Sequence, residues 1–127
     1  MRRALPFLFA AVLATTGCLA AAAAGAAGGI YLTSRGAESV VQGSVDQVAG
    51  RAEAVMRRMG IVKDGESTED QGEKQVLKGN KDDLDVTIEV RRESPTTAKV
   101  EVTARKNLAE WDKDYAKEVL NRIVQEG

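Results

Sequence analysis

A chain of 127 residues has room for one domain of ordinary size once a leader is removed, and a second folded unit does not fit. Its 18 Lys and Arg stand against 19 Asp and Glu, a formal net charge of -1, which excludes the basic excess needed to neutralise nucleic-acid phosphates. Histidine is absent and there is one cysteine, so the commonest metal ligand and neutral-pH acid/base group is missing, and no disulfide can close within the chain.

The first stretch has the three parts of a secretion signal. Arg2 and Arg3 give a positive start, Ala4 to Ala14 is apolar, and the small residues Thr15, Thr16 and Gly17 precede Cys18. The segment Leu13-Ala14-Thr15-Thr16-Gly17-Cys18 resembles a lipoprotein cleavage box, whose cysteine thiol takes a diacylglyceryl group; Thr15 stands where such boxes usually carry Leu, Val or Ile. Residues 1–17 are therefore read as a signal peptide and Cys18 as the lipidation site. Two or three acyl chains such as palmitate, at about 0.8 kcal/mol per buried methylene, pass the one-chain limit at which anchoring is marginal.

An uncleaved transmembrane helix is the alternative, because no charge occurs between Ala4 and Ser34. The Ala20–Gly29 run argues against it, being Ala and Gly with no Leu, Ile or Phe, and so contributing little transfer free energy. It reads better as a tether over 18–35, whose ends as a flexible coil would lie about 23 Å apart. The polar consensus of twin-arginine export is missing around Arg2-Arg3, which favours general secretion. Leu19, in place of the Asp that resembles an inner-membrane retention signal, points to an outer membrane, with the domain facing the periplasm.

The folded part is expected over 36–127. Ala37 to Gln42, with Val40 and Val41, predicts a short strand ending at Gly43. Ser44 and Gln47 form a capping box, and Val45, Val48, Ala49, Ala52, Val55, Met56 and Met59 recur at helical spacing until Gly60. Arg57 and Arg58 suit the negative end of that helix, and the two methionines read as core filler.

Ile61 to Lys63 starts an extended segment, and Asp64 to Gly72, acidic and nearly without apolar residues, reads as a loop or irregular hairpin. Gln75 to Lys78 is a weak strand, closed by Gly79-Asn80 and the polar Lys81-Asp82-Asp83. The strongest pattern follows. Leu84, Val86, Ile88 and Val90 alternate with Asp85, Thr87, Glu89 and Arg91, as Ala98, Val100, Val102 and Ala104 do with Lys99, Glu101, Thr103 and Arg105. These are two strands of a hairpin turning at Ser94-Pro95-Thr96-Thr97.

Pairing Val90 with Val100 would set Glu89 opposite Glu101 and Arg91 opposite Lys99, two like-charge pairs. A shift of two residues is therefore expected, with Glu89 opposite Lys99 or Arg91 opposite Glu101. Glu110 to Gln125 predicts a second amphipathic helix, with Trp111, Tyr115, Val119, Leu120, Ile123 and Val124 on its apolar face. Trp111 and Tyr115, four apart, can stack along one side, seal the core edge, and are the candidate partner or ligand contacts.

The expected fold is α+β, a two-layer sandwich in the order β-α-β-β-β-β-α. Two helices lie on one face of a mainly antiparallel sheet of about four to five strands, and Thr87, Glu89, Lys99, Glu101 and Thr103 face water.

The mature chain resembles a family of small bacterial envelope lipoproteins known only as a domain of unknown function. The resemblance runs from Cys18 to Ile123. It rests on the Ala/Gly run ending in Gly28-Gly29-Ile30-Tyr31, the Gly36-Ala37-Glu38 start of the first strand, the Ser44–Met59 helix with Gly60-Ile61, the Asp85-Val86-Thr87-Ile88 strand, and Val119-Leu120 in the terminal helix. It implies an envelope lipoprotein and carries over no catalytic residues.

Chemistry is sparse. Asp64 with Glu66, Glu69 with Asp70, and Asp82, Asp83 with Asp85 do not match the calcium-loop template, and read as solvated turns. There is no phosphate loop, CxxC pair or nucleophile elbow, and nothing places two acids in one apolar cleft. No catalytic residue, cofactor or metal is assigned.

The expected role is a non-catalytic, membrane-anchored module that holds envelope proteins or assembles through its sheet edge or charged sheet face. The alternative is a carrier with a small apolar pocket between sheet and C-terminal helix, around Trp111 and Tyr115. An apolar cavity above roughly 300 Å³ would favour the carrier, and a filled core the module.

Overall fold

The computed structural model describes residues 29–126, so Cys18 and the expected signal peptide lie outside the described residues. The elements are β1 (Tyr31–Leu32), β2 (Gly36–Gln42), α1 (Val45–Arg58), β3 (Val62–Glu69), a 3-10 turn (Asp70–Gly72), β4 (Lys74–Lys81), β5 (Leu84–Ser94), β6 (Thr97–Arg105) and α2 (Lys113–Glu126). Among the described residues the fold is α+β: two helices and one open antiparallel sheet of six strands in the order β1-β2-β6-β5-β4-β3. The chain crosses from β2 to the far edge through α1, returns as the meander β3 to β6, and lays β6 beside β2.

Helix α1 forms where its caps and periodicity place it. Ser44 accepts from the Gln47 amide while the Gln47 side chain accepts from the Ser44 amide, at 3.2 and 3.0 Å. Gly60, at φ +74°, ends the helix in a conformation that side chains adopt rarely. Its buried face, Val45, Val48, Ala49, Ala52, Val55 and Met56, packs mainly over β4 and β5. Helix α2 covers β2 and β6 with Ala116, Val119, Leu120 and Ile123. Between the layers these side chains meet Val41, Leu77, Val86, Ile88, Val90, Val100 and Val102 in one continuous cluster.

Five expectations are corrected. Asp64 to Glu69, read as a loop or irregular hairpin, is not a loop: it belongs to β3, an edge strand in an irregular hairpin with β4. A strand whose outer side meets only water needs no apolar alternation; its charges and a bulge between Lys63 and Gly65 discourage pairing with another chain. Strand β4 runs through Gly79-Asn80 instead of closing there. A Cβ on Gly79 would lie 2.7 Å from Met56 Cε and 2.8 Å from Ile61 Cγ2, so this glycine admits the end of α1 against the sheet. The turn is Asp82-Asp83, with Asp82 at φ +52°.

Strand β1, within the stretch read as tether, brings the sheet to six strands where four to five are expected. It pairs with Glu38 and Ala37, and the chain before it is fastened by the buried Ser39, whose hydroxyl donates to the Gly29 carbonyl at 2.8 Å. Helix α2 starts at Lys113 and is capped by Asp112, whose carboxylate accepts from the Tyr115 amide at 2.9 Å. Trp111 therefore precedes the helix, and Trp111 and Tyr115 do not share a helical face.

The expected two-residue shift in the β5–β6 hairpin is overturned: Glu89 lies opposite Glu101, and Arg91 opposite Lys99. A shift of two keeps the same residues facing the core, so burial does not choose between registers; the turn does. A bulge at Glu93 leaves Pro95-Thr96 as a two-residue loop. Ser94 Oγ lies 2.6 Å from Thr97 Oγ1 and accepts from the Thr96 amide at 3.3 Å. Same-strand and third-strand partners offset the like-charge cost of about 0.2–1 kcal/mol per pair: Glu89 is 3.1 Å from Arg91 and 3.3 Å from Lys74, and Lys99 is 3.6 Å from Glu38.

Candidate functional site

With both described helices on one side, no described element covers the other face of the sheet, and its composition follows from the register. Residues directly opposite on neighbouring strands share a face, so the pairing assembles rows across the sheet. One row is acidic, with Glu38, Glu101 and Glu89 on β2, β6 and β5. The next, two residues along each strand, is basic, with Lys99, Arg91 and Lys74 on β6, β5 and β4. On the other side of the acidic row lie Thr103, Thr87 and Lys78, followed by Arg105, Asp85 and Asn80.

Two depressions open on this face. The first, about 290 Å³, is lined by Glu38, Glu89, Arg91, Glu93, Lys99 and Glu101. The second, about 270 Å³, lies among Asp64, Lys78, Asp85, Thr87, Thr103, Arg105 and Trp111. Both are shallow and polar. Glu101, between two glutamates, has no ion-pair partner among the described residues, unlike Glu38 and Glu89.

Trp111 reaches this face because Glu110 to Asp112 folds back along the end of β6. Lys106 donates to the Glu110 carbonyl at 2.9 Å and Asp112 to that of Ala104 at 2.7 Å, placing Trp111 opposite Arg105. The guanidinium carbons of Arg35 and Arg105 lie 5.3 and 5.8 Å from the indole centroid, so the ring fastens the β1–β2 turn to the end of β6. Tyr115 sits elsewhere, its ring against the core and beneath Lys81 at 5.7 Å. Its buried hydroxyl has no hydrogen-bond partner among the described residues, and burial pushes it above the usual phenol range. The two aromatic candidates are thus not brought into one pocket.

Asp64, Glu66 and Glu69, from two of the three acidic groupings, are engaged locally. Asp64 accepts from the Asn80 amide, and Glu69 is 3.8 Å from Lys74. Lys63 bridges Glu66 at 2.8 Å and Glu53 of α1 at 3.0 Å, fastening the helix to the edge strand. Hydrogen bonding from Lys63 holds Glu53 below the usual carboxylate range, and the same contacts, led by that to Glu66, raise Lys63. Among the described residues no group of three His, Cys, Asp or Glu is placed to hold a metal ion, and no helix is long and apolar enough to cross a membrane.

Sequence alternation identifies the outward residues of β5 and β6. It does not place Glu38 beside them, nor Trp111 and Arg35 at their end, because those neighbours arise from β2 pairing with β6 and from a seven-residue excursion after Arg105. Among the described residues these features define an α+β protein whose helices cover one sheet face and leave the other, mainly polar, face open. Comparison of the chain with protein-family models, curated proteins and solved structures found no match.

Proposed function

We propose that this chain is a lipid-anchored module of the bacterial cell envelope that acts by docking, without catalysis, through the solvent face of its sheet. The observation that carries the docking half is the one-sided helical layer: among the described residues no element covers the other face of the four inner strands, which is polar except at Val40 and Val76. The anchoring half rests on the sequence around Cys18. Ten residues, Leu19 to Gly28, separate that cysteine from the described chain, and at full extension they span no more than about 35 Å. An acylated Cys18 therefore keeps the domain within reach of one membrane surface.

The close-packed interior favours docking over the carrier alternative. Ile88, Val100, Val102, Val119, Leu120 and Ile123, the side chains between sheet and helices, are all 0% exposed, and the two depressions described on the sheet are polar and lie on the opposite face.

One experiment tests both halves. The full chain carries a photoreactive side chain at Thr87 on the solvent face or at Lys117 on the helix surface, in cells fed a tagged fatty acid. The expected result is a tagged crosslinked adduct from position 87 alone, whose tag disappears with Cys18→Ser. No adduct from position 87, or a tag that survives Cys18→Ser, contradicts the proposal.

A further inference from the structure

Within one molecule each charged row sets like charges side by side, a cost that ion pairs between the rows offset at Glu38 and Glu89; between two molecules the rows are complementary. Glu38, Glu101 and Glu89 lie side by side, as do Lys99 and Arg91, and like charges directly opposite destabilise a sheet. The intramolecular ion pairs relieve the outer glutamates and, among the described residues, leave Glu101 without one. Local conflicts of this kind, where packing is otherwise consistent, mark positions where something outside the fold completes the arrangement.

The pattern identifies the occupant. A partner of single-signed charge would be attracted by one row and repelled by its neighbour, about 7 Å away along the strands. A second copy has the required pattern. Turned by a twofold axis that lies between the rows and parallel to them, it sets its basic row over the acidic row of the first, and the reverse. Strand β6 then crosses β6 and β5 crosses β5, so Glu101 meets the second copy's Lys99, and Glu89 its Arg91. Stacked sheets lie about 10 Å apart, a gap that two long side chains bridge. Aligned packing twists the sheets by about 30°, which leaves the matches near the axis as the closest.

We infer that the solvent face of the sheet is a homodimer interface, in which the acidic row through Glu101 pairs with the basic row through Lys99 of a second copy. This rests on the reading of that face as the docking surface and names its occupant. Five strands at about 4.8 Å, over about seven residues each, give a face of about 600 Å² per copy. That is below the roughly 800 Å² per partner of a standard interface, so the dimer is weak in solution and salt-sensitive. Confinement of both copies to one membrane surface raises their effective concentration.

Sedimentation of the full chain in a density-matched detergent provides the test, with Glu101→Lys, Lys99→Glu and the milder Glu101→Gln, all checked for native circular dichroism. The wild type is expected to dimerise reversibly, with Kd rising at least about tenfold between low salt and 0.5 M. Glu101→Lys alone and Lys99→Glu alone each place like charges across the interface and should raise Kd by more than about tenfold. Glu101→Gln should weaken association less. An equimolar mixture of the two charge-reversed chains should recover a heterodimer.

A wild type that stays monomeric, single variants that associate like it, or a mixture that stays monomeric overturns the inference. The Thr87 crosslink separates this failure from that of the docking reading. An adduct of twice the chain's mass agrees with the dimer, one of another mass overturns the dimer while leaving the docking face in place, and no adduct removes both.

Discussion

Gly36→Ala is expected to destabilise the domain by about 3 kcal/mol or more, at or beyond the upper end of overpacking costs, and to lower Tm by more than about 10 °C. A Cβ at Gly36 would overlap the Val102 carbonyl oxygen and stand 3.0 Å from Thr103 Cα, both backbone atoms of β6 that no rotamer change can move. The substitution forces β2 and β6 apart where β2 must pair to carry Ala37, Ser39 and Val41 into the core. The control is Gly50→Ala on the exposed side of α1, where nothing lies within 4 Å of the added carbon. Relief of glycine's helix penalty should stabilise there by up to about 1 kcal/mol. Thermal or urea unfolding followed by circular dichroism checks both, and an unchanged Tm in Gly36→Ala would contradict the β2–β6 pairing.

Ile88→Ala should cost about 2–5 kcal/mol, whereas Thr87→Ala, one residue earlier on the same strand, should stay within about 0.5 kcal/mol. Ile88 is 0% exposed between β5 and the helices and opposes Leu77 and Val102, so truncation leaves a cavity that close packing fills poorly. Thr87 faces water beside Thr103 and Lys78. The contrast, measured by urea unfolding, reports which face of β5 the helices cover. Equal costs at the two positions would place an unrecognised layer over the solvent face.

Much of this architecture was legible in the sequence, for physical reasons that differ by element. Helix α1 was readable because cap, apolar stripe and terminating glycine agree over Ser44 to Gly60, and β5 and β6 because one face of each is buried and the other wet. Strand β3 was not readable, since an edge strand without a core-facing apolar row carries no period-two signal. The β5–β6 register misled for another reason: its outward charges are balanced by Lys74 on β4 and Glu38 on β2, strands outside the hairpin. Cross-strand charge reasoning restricted to two strands omits those contributions. Trp111 was misplaced because a tryptophan four residues before a tyrosine fits a helical face, while Asp112 caps the helix after it.

The solvent face itself was only half visible. Thr87, Glu89, Lys99, Glu101 and Thr103 were expected on it, and they are there. The acidic row became a row only when the six-stranded order placed Glu38 beside Glu101, a neighbour about sixty residues away in the chain.

The most direct test of docking through this face is lysine footprinting of the full chain, in native envelopes and again after detergent solubilisation and dilution. Lys99 and Lys78 lie on the solvent face, and Lys113 and Lys117 on the exposed side of α2. The expected result is several-fold slower acetylation of Lys99 and Lys78 in the envelope than after dilution, with Lys113 and Lys117 unchanged. Unchanged rates at Lys99 and Lys78 together with protection of Lys113 and Lys117 would move the contact surface to the helices and contradict the account.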